Sequence, residues 1–84
     1  MIRPLRPSDT RSVQRALMQA PLVNLFLLHC LEVDGLERAV WSGRWLGKQL
    51  VAVAYLVPGR LCVPWASEPE HAQPLGAWLA RCIN

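Results

Sequence analysis

Residues 49 to 57, "QLVAVAYLV", constrain the fold more than any other stretch of this chain. Alternation puts Val51, Val53, Tyr55 and Val57 on one row and Leu50, Ala52, Ala54 and Leu56 on the other. β-Branched and aromatic residues at period two read as a strand, and a strand that is apolar on both rows has to be covered on both faces. Gly47-Lys48 before it and Pro58-Gly59 after it are turns short enough to force antiparallel neighbours. Those neighbours carry the same texture: "AVWSGRWL" at 39–46 and "RLCVPW" at 60–65. A three-stranded antiparallel meander is predicted, with helices on its two faces.

The first half of the chain supplies one of those covers. "MIRPL" reads as a short edge strand, where proline is tolerated because one side has no ladder partner. Ser8 or Asp9 is placed to cap the helix that follows. In that helix Val13, Ala16, Leu17 and Ala20 recur at i, i+3, i+4, i+7, opposite Arg11, Gln14 and Arg15. Pro21 ends it and can serve as the first residue of a second helix, "PLVNLFLLHCLEV" at 21–33, which Asp34-Gly35 closes. This run is apolar except for Asn24, His29 and Glu32. Asn24, Leu28 and Glu32 share a stripe at i, i+4, i+8, so the expectation is a helix buried on most of its circumference, with Phe26 in the core. On that expectation Phe26→Ala would cost about 3–5 kcal/mol.

The second cover is the tail, "SEPEHAQPLGAWLARCIN". Ser67 is the expected cap, Glu68 and Glu70 lie in the first turn, and Pro74 should break or restart the helix. Beyond it Leu75, Trp78, Leu79 and Cys82 keep helical spacing. No repeat or linker interrupts the 84 residues, and one α/β (α+β) domain, 1–84, accounts for them.

Several function classes are disfavoured. The apolar run at 21–33 is shorter than the roughly 20 residues a membrane-spanning helix needs, and no small-residue cleavage pattern follows it. Nine Lys and Arg against six Asp and Glu give +3, but the basic residues are spread along the chain, with only Arg3, Arg6, Arg11 and Arg15 grouped. A nucleic-acid surface would carry a dense basic stripe with interleaved aromatics. Three distant cysteines, Cys30, Cys62 and Cys82, make a poor disulfide framework and point to a reducing, cytoplasmic setting. No metal site is expected: His29 and His71 lack partners at ligand spacing, and adjacent His29 and Cys30 diverge by about 100° on a helix. Trp41 and Trp45 share a strand face, as core aromatics do. Glu32, Asp34 and Glu37 read as a solvated helix end before they read as a general base. Cys62 has no neighbour that would activate its thiol.

The order strand, helix, helix, three-stranded meander, helix resembles the first half of the GNAT superfamily of N-acetyltransferases. "IRPLRPSDTRSVQRAL" is similar to the first strand and helix of that fold, in which a strand carrying Arg leads to a helix headed by Asp. "PLVNLFLLHCLEVDGLE", "GKQLVAVAYL" and "RLCVPWA" are similar to the N-terminal domain that precedes the acetyltransferase domain in some bacterial two-part proteins. The resemblance implies acetyl-CoA as cofactor. It places the pantetheine beside the fourth strand, at Leu61, Cys62 and Val63, and the pyrophosphate on the free amides of a Gln/Arg-x-x-Gly-x-Gly/Ala loop that opens the next helix. "QPLGAW" at 73–78 imitates that loop with Gln73 and Gly76, while Pro74 and Trp78 depart from it. No catalytic residue is assigned.

Three readings follow from the resemblance and the residues together. One is a non-catalytic half that packs beside a catalytic acetyltransferase domain. Another is a partial enzyme completed by a second chain. The third is a small regulatory or interaction module that only shares the element order. Under the first two, the sheet edge near residues 61–63 is expected to be open for docking or self-association.

Overall fold

A computed structural model describes residues 1–37 and 39–83, the side chains of Cys82 and Ile83 excepted. It contains β1 (Ile2–Pro4), α1 (Thr10–Leu17, entered through a 3-10 turn at Pro7–Asp9), α2 (Leu25–Asp34), β2 (Val40–Leu46), β3 (Gln49–Val57), β4 (Leu61–Ala66) and α3 (Pro69–Ile83). The strands form one antiparallel sheet in the order β1-β2-β3-β4. The α+β class, the edge strand and the meander agree with the sequence reading. The packing spacing expected of Cys82 lies outside the described residues.

Both turns of the meander follow from their residues. Positive φ at Gly47 (61°), with none at Lys48, is the type II′ pattern that suits a two-residue hairpin. At the other end the Arg60 N–H donates to the Val57 carbonyl at 3.0 Å across Pro58-Gly59, with Gly59 at φ 75°. Proline preset for the second position and glycine with φ > 0 at the third define a type II turn.

Two layers cover the sheet, as the doubly apolar β3 requires. On one face Trp41, Trp45, Leu50, Val53 and Tyr55 pack against Val13, Ala16 and Leu17 of α1 and Leu27, Cys30 and Leu31 of α2. On the other, Ala52 and Ala54 receive Leu75 and Leu79 of α3. One feature of the rows differs from simple alternation. Arg44 pairs with Ala52 but Trp45 with Leu50, so Val51 is the extra residue of a bulge and Leu50 crosses to the α1 face. There Leu50 and Leu5 close over Gly43, where an added Cβ would sit 2.6 Å from Leu50 Cδ1 and 2.9 Å from Leu5 Cδ2.

The buried-circumference expectation for the second helix fails. Residues 21–24 form turns, α2 begins at Leu25, and its outer side leaves Leu25, Phe26, His29 and Val33 exposed, with Leu22 87% exposed just before it. The polar stripe splits: Glu32 is exposed, whereas Asn24 turns inward, 2% exposed, and its Nδ2 donates to the Leu17 carbonyl at 3.0 Å. That carbonyl, at the C-terminal end of α1, also accepts the Ala20 amide at 3.2 Å, so Asn24 fills its second lone pair. Serving it fixes the rotation of α2 so that Leu27 and Leu31, at i+3 and i+7 from Asn24, enter the core.

Two capping assignments also change. Asp9 does not cap α1 with its side chain. Its carboxylate turns back to accept from Arg3 Nη1 and Nη2 at 2.8 and 3.0 Å and from the Arg6 amide at 2.8 Å, tying β1 to the helix entry. The Arg3 guanidinium, chiefly through its hydrogen bonds, holds the Asp9 carboxyl below the usual carboxylate range. Ser67 donates its amide and hydroxyl to the Val51 carbonyl instead of serving α3, and Pro69 takes the first helical position, where its missing N–H is harmless.

Candidate functional site

β4 is the edge the resemblance singles out. The type II turn swings it antiparallel to β3, and among the described residues no strand pairs with its outer side. Leu61 and Cys62 are exposed, while Val63 and Trp65 are half-buried against the α1–α2 face. On the opposite face Val40, Leu56 and Cys62 align across three strands. With Pro58 and Leu61 they line a mostly apolar hollow of about 490 Å³.

The α1–α2 face continues this apolar surface. Phe26 meets Tyr55 edge-on, with ring centroids 5.9 Å apart, and Tyr55 pairs in register with Val63. An apolar path therefore runs from the outer side of α2 across β3 to the open edge. Burial first, then the neighbouring Cys30 thiol, pushes the Tyr55 hydroxyl above its usual range, so it stays protonated.

Gln73 and Gly76 do not line the hollow that Leu61 and Cys62 share. The helix does not restart at Pro74: α3 runs unbroken from Pro69, and both residues lie past its first turn with exposed side chains or surface. Past the first turn each helical N–H is engaged by the carbonyl four residues earlier, so Gly76 offers no free amide to a pyrophosphate. At the true start of α3, Pro69 has no N–H, the His71 amide is bonded to the Glu68 carbonyl at 3.0 Å, and Glu68 and Glu70 repel anions. The residues present do not fit an acetyl-CoA pyrophosphate at this loop. Since nothing lies within 4 Å of a Cβ added at Gly76, Gly76→Ala should stabilise the domain by about 0.5–1 kcal/mol. Thermal melting followed by circular dichroism should show a midpoint several degrees higher. A lower midpoint would mean that Gly76 is not inside a helix.

Other sequence candidates are dispersed. Glu32, Asp34 and Glu37 are all exposed at the end of α2, and among the described residues no group of three or more His, Cys, Asp or Glu is placed to hold a metal. Cys30 is buried and His29 exposed, diverging as expected. Cys30 and Cys62 are both free thiols. Trp41 and Trp45 are core residues. His71 does have a partner that spacing could not disclose: Arg44 Nη1 lies 2.9 Å from its Nδ1, joining the start of α3 to β2. Guanidinium has no acceptor, so Nδ1 must accept and the ring proton sits on Nε2. Among the described residues no helix is long and apolar enough to cross a membrane. Compared with family models, curated proteins and solved structures, the chain matches none.

Proposed function

We propose that this chain is a GNAT-type acetyltransferase-related half domain without catalytic activity of its own, which docks through β4 onto a catalytic acetyltransferase domain. The observation that carries this reading is the unpaired outer edge of β4, flanked by the exposed Leu61 and by the apolar path through Val63, Tyr55 and Phe26. The carbonyls and remaining N–H groups of that edge, where Pro64 has no N–H to offer, are a template for another strand. Main-chain bonds supply affinity in strand addition, and side chains on either face supply specificity. The element order supports the kinship, and the engaged amides around Gly76 support the lack of catalysis. Tetrahedral oxyanion stabilisation needs rigid, free donors beside the thioester, which a bare edge strand does not hold in place.

A second reading is an interaction module with no connection to acyl-CoA. The position of Gln73 and Gly76 inside α3 favours it.

The chain alone, incubated with acetyl-CoA and a panel of amines, should release CoA no faster than buffer and show no cofactor binding by calorimetry. Mixed with acetyltransferase domains from the same genome, it should bind one of them, with the outward amides of β4 gaining protection from hydrogen exchange. Val63→Lys should abolish that binding. Turnover by the isolated chain would overturn the reading, as would the same protection arising from a second copy alone. Protection by a partner without acetyltransferase activity would favour the second reading.

A further inference from the structure

A second hollow, of about 480 Å³, lies between α1 and the β2–β3 turn, at the end of the sheet away from Pro58-Gly59. Arg15 and Gln19 of α1 stand on one side of it, and Lys48 and Gln49 of the hairpin on the other, over a floor formed by Ala16 and Leu50. Each cation has an ordinary explanation on its own. Arg15 sits in the last turn of α1, where the helix dipole favours positive charge, and Lys48 is a polar tip of a two-residue turn.

Their shared environment is less ordinary. No carboxylate lines the hollow, and among the described residues the only ion pair that does not depend on a histidine's protonation is Arg3 with Asp9. Two like charges thus face one space without a counter-charge, and an anion between them would relieve their repulsion at both ends. Guanidinium offers a planar fork of donors and ammonium a compact point charge, both matched to oxyanions. Carboxamides from Gln19 and Gln49 can add neutral donors, while the half-exposed Leu46 gives an aliphatic surface that a bare inorganic ion would not use.

We propose that this hollow binds a small organic oxyanion, a phosphate- or carboxylate-headed molecule with a short aliphatic segment. The head lies between Arg15 and Lys48, and the aliphatic part rests on Leu46. The site involves no residue of β4, so it stands or falls independently of the docking reading.

Nuclear magnetic resonance titration of the isolated chain tests it, with hexyl phosphate, hexanoate, inorganic phosphate and hexanol as probes. The two amphiphilic anions should give saturable shifts confined to residues 12–19 and 46–50 at millimolar or lower concentration. Inorganic phosphate and hexanol should bind at least about tenfold more weakly, because each lacks one half of the recognition. Arg15→Ser and Lys48→Ser should each weaken hexyl phosphate by about tenfold while the chain stays folded, since both side chains are exposed, with only the lost dipole and propensity contribution of Arg15 lowering its variant's melting temperature by a few degrees. Comparing hexyl phosphate with hexanoate separates the two head groups. Shifts that do not saturate, that spread to Arg6 and Arg11, or that persist in the double variant would overturn the proposal.

Discussion

Trp41→Ala is expected to leave the chain largely unfolded at 25 °C. Trp41 is 2% exposed and packs edge-on to Tyr55 at 4.9 Å between centroids. Its own carbonyl accepts the Leu5 amide at 2.8 Å, holding the end of β1 in place. Truncating a buried aromatic removes transfer energy and leaves a cavity, together about 3–5 kcal/mol. A domain of this length has roughly 4–13 kcal/mol in total, and a small core sits toward the lower end of that range. Phe26→Ala is the contrast. Its ring is 49% exposed and touches Tyr55 only at the rim, so removal should cost about 1 kcal/mol. Urea titration followed by far-ultraviolet circular dichroism should find the first variant without a folded baseline and the second close to wild type. Equal midpoints for the two would show that the core has been placed on the wrong side of α2.

The contrast between those two aromatics marks what the chain discloses before it folds. Strand positions were readable because alternation in 49–57 and the Gly47-Lys48 and Pro58-Gly59 turns are local signals that agree with one another. The rotation of α2 was not. In a helix that is apolar nearly all round, periodicity is flat, and its three polar residues do not share a fate: His29 and Glu32 are exposed, while Asn24 turns inward because its amide serves a carbonyl of the preceding helix. The bulge at Val51 escaped for a related reason: exchanging Leu50 for Val51 in a row of apolar side chains leaves the pattern unchanged. Pro74 looked like a helix break because its ring removes an N–H. The carbonyl it would have engaged belongs to Glu70, an exposed residue near the start of α3, where water can replace the lost bond at small cost.

The candidate sites divide along the same line. The edge at Leu61–Val63 could be inferred because it is one contiguous segment that follows a turn. Arg15 and Lys48, or Arg44 and His71, meet only after the sheet and helices assemble, and no spacing rule links residues on different elements. Sequence similarity of "QPLGAW" to a phosphate loop misled in the opposite direction. A loop motif binds anions through backbone amides left free by its conformation, and that conformation is absent when the same letters are wound into the middle of a helix.

Asn24→Asp should be the most damaging change that keeps nearly the same shape. It replaces an amide that donates to the Leu17 carbonyl at 3.0 Å by an acceptor carrying charge, at a position 2% exposed. The cost at neutral pH is about 3–5 kcal/mol, the range found when a buried charge is left uncompensated. Asn24 precedes the first turn of α2, and the dipole there returns only about 0.5–1 kcal/mol to a carboxylate. Burial raises the folded-state pKa of the introduced acid above its unfolded value, so the deficit is full above the folded pKa and disappears below the unfolded one. Protonation also restores a donor for the carbonyl. Asp9 works in the other direction: its lowered pKa gives stability that is present above its unfolded value and lost as pH falls through the folded one. The variant must therefore be compared with wild type at each pH, and the gap in unfolding free energy should narrow steadily from pH 7 toward pH 4. Asn24→Leu, which deletes the donor without adding charge, should cost about 1–3 kcal/mol with a gap that does not change with pH. If Asn24→Asp matched wild type at pH 7, its side chain would have swung out to cap α2, and the inward rotation of that helix would not depend on the bond to Leu17.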